Sequence, residues 1–144
     1  MITRRCARGN AVVLVDTSVL IGYLKGAGDR ATEKFQRILD NKIPFGINSF
    51  IYQEVLQGVK TEKDFAAVKE YLDTQRFYPL RDFKESYAAA AKIYFQCRKK
   101  GITISSTIDC LIIQTALEHD LYLLHNDADF ENARKVVELK VYRD

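Results

Sequence analysis

Asp16, Glu54, Asp109 and Asp127 are carboxylates in places where a carboxylate is either costly or unusually well placed. Asp16 closes the apolar run Ala11-Val12-Val13-Leu14-Val15, and Asp127 follows the strand-like Leu121-Tyr122-Leu123-Leu124. Glu54 shares a helical stripe with Phe50, Ile51, Val55 and Gly58, at the i, i+1, i+4, i+5, i+8 spacing of one helix face. Asp109 shares a face with Ile112, Ile113 and Ala116. A bare carboxylate taken out of water is strongly destabilising unless it is paired, protonated or bound to a metal. Several of them in one place repel one another, and a divalent cation is their natural neutraliser. The chemistry this points to is metal-dependent hydrolysis of phosphate esters.

Each residue alone has a plainer reading. Asp16 serves as a helix N-cap, a role worth about 1 kcal/mol. Glu54 pairs with a buried Lys or Arg. Asp109 sits in the first turn of a helix, where the dipole favours an acid by about 0.3–1 kcal/mol. Asp127 and Asp129, flanking Ala128, cap or turn the chain, or join a cation site with Asp129 further out. Thr17 and Ser18 serve the turn after Asp16 or hold a metal-bound water or a phosphate oxygen, and His125 is expected as a surface histidine at a strand end, with contact to substrate or a proton shuttle as the other reading. What the plain readings do not explain is why all these acids occur together.

The elements that must position them alternate between strands and helices. Residues 11–16 form a continuous β-branched run, expected as a strand buried on both faces. A helix is expected to follow, capped by Asp16, Thr17 or Ser18 and closed around Gly26-Gly28, and a second spans Asp29 to Asp40. Pro44-Phe45-Gly46-Ile47 is a short strand, and Asn48 or Ser49 caps the helix that carries Glu54. Thr61 opens another helix, and Phe77-Tyr78-Pro79-Leu80 reads as an edge strand because of its proline. A long helix covers Asp82 to Lys100 and stops at Gly101. Ser105, Ser106 or Thr107 caps the helix holding Asp109, which runs through Glu118. The strand Leu121–Leu124, a short helix from Asn126-Asp127, and a last strand over Val136–Tyr142 complete the pattern. This alternation predicts an α/β fold, a three-layer α/β/α sandwich with a mostly parallel central sheet. In such sheets functional groups gather at the carboxyl ends of the strands, where Asp16 and Asp127 fall.

At 144 residues the chain fits one domain, with residues 1–10 as a short basic tail and 11–144 as the domain proper. Hydrophobic content of 47% and charged content of 28% are those of a globular protein. No apolar run reaches the ~20 residues that cross a bilayer, and the run before Asp16 is too short for a signal peptide, so no membrane role and a cytoplasmic location are expected. Cys6, Cys97 and Cys110 are widely spaced, which argues against a structural zinc site and for idle thiols in a reducing compartment. The net charge of +3 coexists with an acidic cluster, and Arg98-Lys99-Lys100 form a local basic run. Basic surroundings about an acidic centre suit a polyanionic substrate.

Four stretches together resemble the PIN-domain family and, within it, VapC-type ribonuclease toxins of toxin–antitoxin pairs. They are Val13-Leu14-Val15-Asp16-Thr17-Ser18-Val19-Leu20-Ile21, Glu54-Val55-Leu56-Gln57-Gly58, Thr107 through Ala116, and Leu123-Leu124-His125-Asn126-Asp127-Ala128-Asp129-Phe130. The resemblance implies that Asp16, Glu54, Asp109 and Asp127 are the acidic quartet binding Mg²⁺ or Mn²⁺, with Asp129 a further ligand. His125 stands where the family carries Thr or Ser. The implied activity is endonucleolytic hydrolysis of single-stranded RNA or a tRNA loop, leaving a 5′-phosphate and a 3′-hydroxyl. Implied partners are the RNA substrate, a VapB-like antitoxin whose C-terminal segment covers the acidic site, and a second copy in a homodimer. The other reading left open is a catalytically silent PIN-like module that binds RNA or protein. A receiver domain and a haloacid-dehalogenase-type phosphatase are disfavoured, because Asp16 lacks the acidic pair of the first and position 18 is Ser where the second needs Asp.

Overall fold

The computed structural model describes residues 11–143, so the basic tail of residues 1–10, with Cys6, lies outside the described residues. In chain order the elements are β1 (Val13–Val15), α1 (Thr17–Leu24), α2 (Arg30–Asp40), β2 (Phe45–Ile47), α3 (Ser49–Gln57) and α4 (Glu62–Asp73). Then come β3 (Arg76–Phe77), α5 (Glu85–Lys99), α6 (Thr107–Glu118), β4 (Tyr122–Leu124), α7 (Ala128–Ala133) and β5 (Lys140–Val141). The sheet order is β3-β2-β1-β4-β5, and every neighbouring pair is parallel. β1 lies at the centre, and Val13, Leu14 and Val15 have no exposed surface, as a strand covered on both faces requires. The expected α/β architecture is what forms, with a sheet wholly rather than mostly parallel.

Local chemistry starts the helices where the sequence signals do. Asp16, Asp29, Asn48, Thr61, Ser106 and Asp127 cap α1, α2, α3, α4, α6 and α7, each side chain accepting a hydrogen bond from a first-turn backbone N–H. α5 ends at Gly101, whose φ of +73° is a left-handed conformation that side chains other than glycine's rarely adopt. Gly46 in β2 answers a different need. A Cβ there would stand 2.5 Å from both the Arg76 carbonyl oxygen and the Tyr78 ring, so only glycine lets β3 and the segment after it close onto β2.

The expected strands shrink where the backbone is used otherwise. Of Phe77–Leu80 only Phe77 joins β3, which is indeed at the sheet edge and begins one residue earlier at Arg76. Of Val136–Tyr142 only Lys140 and Val141 form β5. The Val136 and Val137 N–H groups both bond back to the Ala133 carbonyl, closing α7, and are not available for a ladder. α5 begins at Glu85, three residues after the expected Asp82, whose carboxylate instead accepts from the Lys84 and Glu85 N–H groups ahead of the helix.

Candidate metal centre

The parallel sheet carries Asp16 at the end of β1 and Asp127 three residues beyond the end of β4, on the two strands paired at its centre. Helices α3 and α6 add Glu54 and Asp109, and the first turn of α7 adds Asp129. One carboxylate oxygen from each of Asp109, Asp127 and Asp129 lies within 4.8 Å of the other two, a spacing that suits ligands of one cation. Asp16 and Glu54 are outside that tight group, yet both lie close enough to act on Asp109 electrostatically. All the acids singled out in the sequence therefore converge, three tightly and two around them.

The chain holds these acids by hydrogen bonds from neutral groups. Ser18 gives Asp16 Oδ2 both its N–H (3.3 Å) and its hydroxyl (2.7 Å). The Thr17 hydroxyl donates to Glu54 Oε1 at 3.0 Å. Asp129 Oδ2 accepts from the Ser105 N–H at 3.0 Å and from the Ser105 hydroxyl. The Asp129 N–H in turn donates to Asp127 Oδ1 at 2.9 Å. For Glu54, Asp127 and Asp129 the second oxygen accepts nothing from the described residues, and Asp109 accepts no hydrogen bond from them at all. The buried lysine or arginine expected as a plain partner of Glu54 is not found among the described residues, where the Thr17 hydroxyl is its donor. Among the described residues, no lysine or arginine forms an ion pair with any of these five acids.

The electrostatic result is a concentration of negative charge in which Asp109 and Asp16 resist ionisation. Burial, followed by the charges of Asp16, Asp127, Asp129 and Glu54, pushes the Asp109 carboxyl up to about 7. Asp16, 5% exposed, is also raised by burial despite the Ser18 hydrogen bonds. Asp129 goes the other way, because Ser105 donates to its charged form. A divalent ion would supply the missing positive charge, and hard oxygen donors suit such a cation. The residues fit such an ion.

Some supporting residues were not visible in the sequence. Asn48 is 2% exposed; its Oδ1 accepts from the Ile51 N–H at 2.9 Å while its Nδ2 donates to Thr115 Oγ1 at 3.1 Å. That buried bond ties the start of α3, the helix of Glu54, to the middle of α6, the helix of Asp109. Ser105 was expected only as one of three possible caps; Ser106 is the cap, and Ser105 grips Asp129. His125 is a correction of a different kind. It is not a surface histidine: its side chain is 7% exposed and its ring packs 5.1 Å from Phe130. Its Nδ1 accepts the Asp127 N–H at 3.1 Å, so it shapes the turn that presents that acid. Its Nε2, 3.4 Å from Glu131 Oε1, makes no well-formed hydrogen bond, and burial lowers the ring's tendency to protonate.

Residues 13–136 match the family profile described as the PIN domain. Two similar relatives are the VapC ribonuclease Mb1587 of Mycobacterium bovis and ribonuclease VapC11 of Mycobacterium tuberculosis. Each is 27% identical over 130 residues, covering 90% of this chain and 96% of the relative. Among solved structures, VapBC2 from Rickettsia felis bound to a promoter DNA fragment aligns with a TM-score of 0.70 at 14% identity, covering 91% of this chain and 97% of that one. The Mycobacterium tuberculosis toxin VapC20, described as cleaving the sarcin-ricin loop, aligns with a TM-score of 0.63 at 19% identity, covering 89% and 98%. The structural likenesses speak for the fold.

Proposed function

This chain belongs to the PIN-domain family, and from that premise we propose that it is a metal-dependent endoribonuclease, the toxin of a VapBC-type pair. The observation that carries the reading is the convergence of Asp16, Glu54, Asp109, Asp127 and Asp129 with no lysine or arginine among the described residues to neutralise them. A silent binding module would gain nothing from such mutual repulsion.

Asp16, Glu54, Asp109 and Asp127 would hold Mg²⁺ or Mn²⁺, with Asp129 alongside. A divalent ion so held polarises the scissile phosphate and makes a nearby water easier to ionise. The chain's own part is positioning and proton handling. Ser18, Thr17 and Ser105 each fix one oxygen of an acid, so the ligands are oriented before anything binds. Asp109, with no hydrogen-bond donor and a carboxyl poised near neutrality in the metal-free protein, is suited to accept the proton of the attacking water, and exposed Asp127 is the other candidate. Hydrolysis of this kind leaves a 5′-phosphate and a 3′-hydroxyl. An unstacked strand, single-stranded RNA or an exposed tRNA loop, gives the backbone access that a paired helix denies.

The partner in this reading is a VapB-like antitoxin that places an arginine against the acids, since the guanidinium fork matches clustered carboxylates. A homodimer is the assembly proposed. Purified protein should cleave single-stranded RNA in Mn²⁺, stop in EDTA, and yield ends that a 5′-phosphate-dependent exonuclease degrades. No cleavage with any divalent ion, together with no Mn²⁺ binding by titration calorimetry, would leave the silent module as the better account.

A further inference from the structure

Resting on the nuclease reading, we propose that Glu131 is a positioning residue for the acid centre, acting through the buried ring of His125 to hold the backbone of Asp127. Glu131 lies in α7, one turn beyond Asp127. Its Oε1 stands 3.4 Å from His125 Nε2, an atom that is buried and has no hydrogen-bond partner among the described residues. On the other side of the ring, Nδ1 accepts the Asp127 N–H at 3.1 Å. Two arginines tether the same glutamate: Arg134 Nη1 is 3.1 Å from Oε2, and Arg143 Nη2, just beyond β5, is 3.3 Å from Oε1. A chain of contacts thus leads from the end of β5, through Glu131 and an imidazole, to one of the acids.

The ring can transmit a preference because its two nitrogens differ. A neutral imidazole carries one proton, and the bond made by one nitrogen decides where that proton sits. Against the effect of burial, Arg134 and Arg143 keep the Glu131 carboxyl below its ordinary range, so Glu131 is ionised and can only accept. With the proton on Nε2, the ring turns an N–H toward that carboxylate and a lone pair toward the Asp127 N–H. With the proton on Nδ1, donor faces donor at Asp127, and a lone pair faces the charge of Glu131. Glu131 therefore opposes the form of the ring that would release Asp127. Phe130, 5.1 Å away, holds the ring between its two partners. Asp127 is exposed, so hydrogen bonds rather than burial set where its carboxylate points. Its Oδ1 accepts the Asp129 N–H, and the His125 bond fixes the backbone from which it projects.

The test combines ring ¹⁵N spectra of the full chain in EDTA with calorimetric Mn²⁺ titration. The chain has two histidines, so the signals lost in His125→Asn are those of His125. In the wild type they should show a protonated Nε2 and a bare Nδ1, and Glu131→Gln should admit the Nδ1–H form. Glu131→Gln and His125→Phe should each weaken Mn²⁺ binding by roughly tenfold, and in Mn²⁺ the loss should fall on kcat with KM for RNA little changed. His125→Asn offers an amide oxygen in place of Nδ1, so it should recover most of the affinity lost in His125→Phe. In that background Glu131→Gln should have no further effect. A wild-type ring protonated mainly on Nδ1 would overturn the proposal, as would wild-type Mn²⁺ affinity in both Glu131→Gln and His125→Phe. So would a loss from Glu131→Gln that persists undiminished beside His125→Asn, which assigns it to the charge of Glu131 acting directly on the metal. A wild type that binds Mn²⁺ yet cleaves no RNA sinks the nuclease reading itself, and the spectra and the paired variants then still decide the role of Glu131.

Discussion

Helix α3 shows two opposite treatments of a carboxylate within three residues. On one side the Tyr52 hydroxyl donates to Asp73 Oδ1 at 2.8 Å, and Lys69 Nζ sits 2.7 Å from Asp73 Oδ2. Lys69, then Tyr52, hold Asp73 below its ordinary carboxyl range. On the other side Glu54 has only a threonine hydroxyl and stands near further acids. Asp73 is satisfied by the chain itself and is exposed at the surface; the acids at the strand ends are oriented by neutral donors and left short of positive charge. Among the described residues a lysine serves a surface aspartate while the most crowded acids have none, the arrangement expected if an outside cation supplies that charge.

Breaking the crowded side should have the largest effect. Asp109→Asn, Asp16→Asn and Glu54→Gln should each lower metal-dependent RNA cleavage by about 100-fold or more, since even residues that merely orient ligands cost 10–100-fold. Asp109→Asn should at the same time raise the Tm of the EDTA-treated protein, because it removes a repelled charge; cleavage at the wild-type rate in any two of the three would dismantle the assignment. Ser105→Ala should weaken Mn²⁺ binding by about tenfold, since it frees Asp129 from the donors that hold it ionised and aligned; calorimetric titration checks this.

The pH dependence sharpens the same contrast. The folded, metal-free protein holds the Asp109 carboxyl at about 7 against an ordinary 3.8, so it binds more protons than the unfolded chain between those values. Stability from that difference is full below about pH 4 and is lost as pH rises through about 7. In EDTA the Tm should therefore fall from pH 5 to pH 8, and added Mn²⁺ should raise it more at pH 8, where it no longer competes with the proton. A Tm in EDTA that climbs over this interval would contradict the raised carboxyl. Asn48→Ala should cost about 1–3 kcal/mol in chemical denaturation, since it takes from the buried Thr115 hydroxyl oxygen the donor it accepts from and removes the cap of α3. Least of all, Lys69→Met should leave both Tm and cleavage almost unchanged, because the ion pair it breaks is exposed.

What the residues disclosed in advance were interruptions of a local pattern. Asp16 and Asp127 stand out because an acid follows a continuous apolar run, where a fully buried strand reaches its carboxyl end. Glu54 and Asp109 stood out because each breaks a helical stripe. The supports were hidden because they join residues far apart in sequence: Asn48 to Thr115, and Ser105 to Asp129. Neither side of such a bond is anomalous until the other is beside it. His125 misled for a related reason, since only the return of α7 with Phe130 buries its ring. The long expected strand at Val136–Tyr142 had the right residue types, but its first valines are committed to closing α7.

The central position of β1 also orders events in time. Val13 to Val15 pair on one side with β2, made soon after them, and on the other with β4, made about a hundred residues later. Long-range parallel pairing is slow to form, and nothing can stand in for β4 before it has been synthesised. Asp127 and Asp129 follow β4, so a growing chain still shorter than that has no complete set of ligands. If these acids carry the cleavage, it can begin only once the last fifth of the chain has emerged and docked.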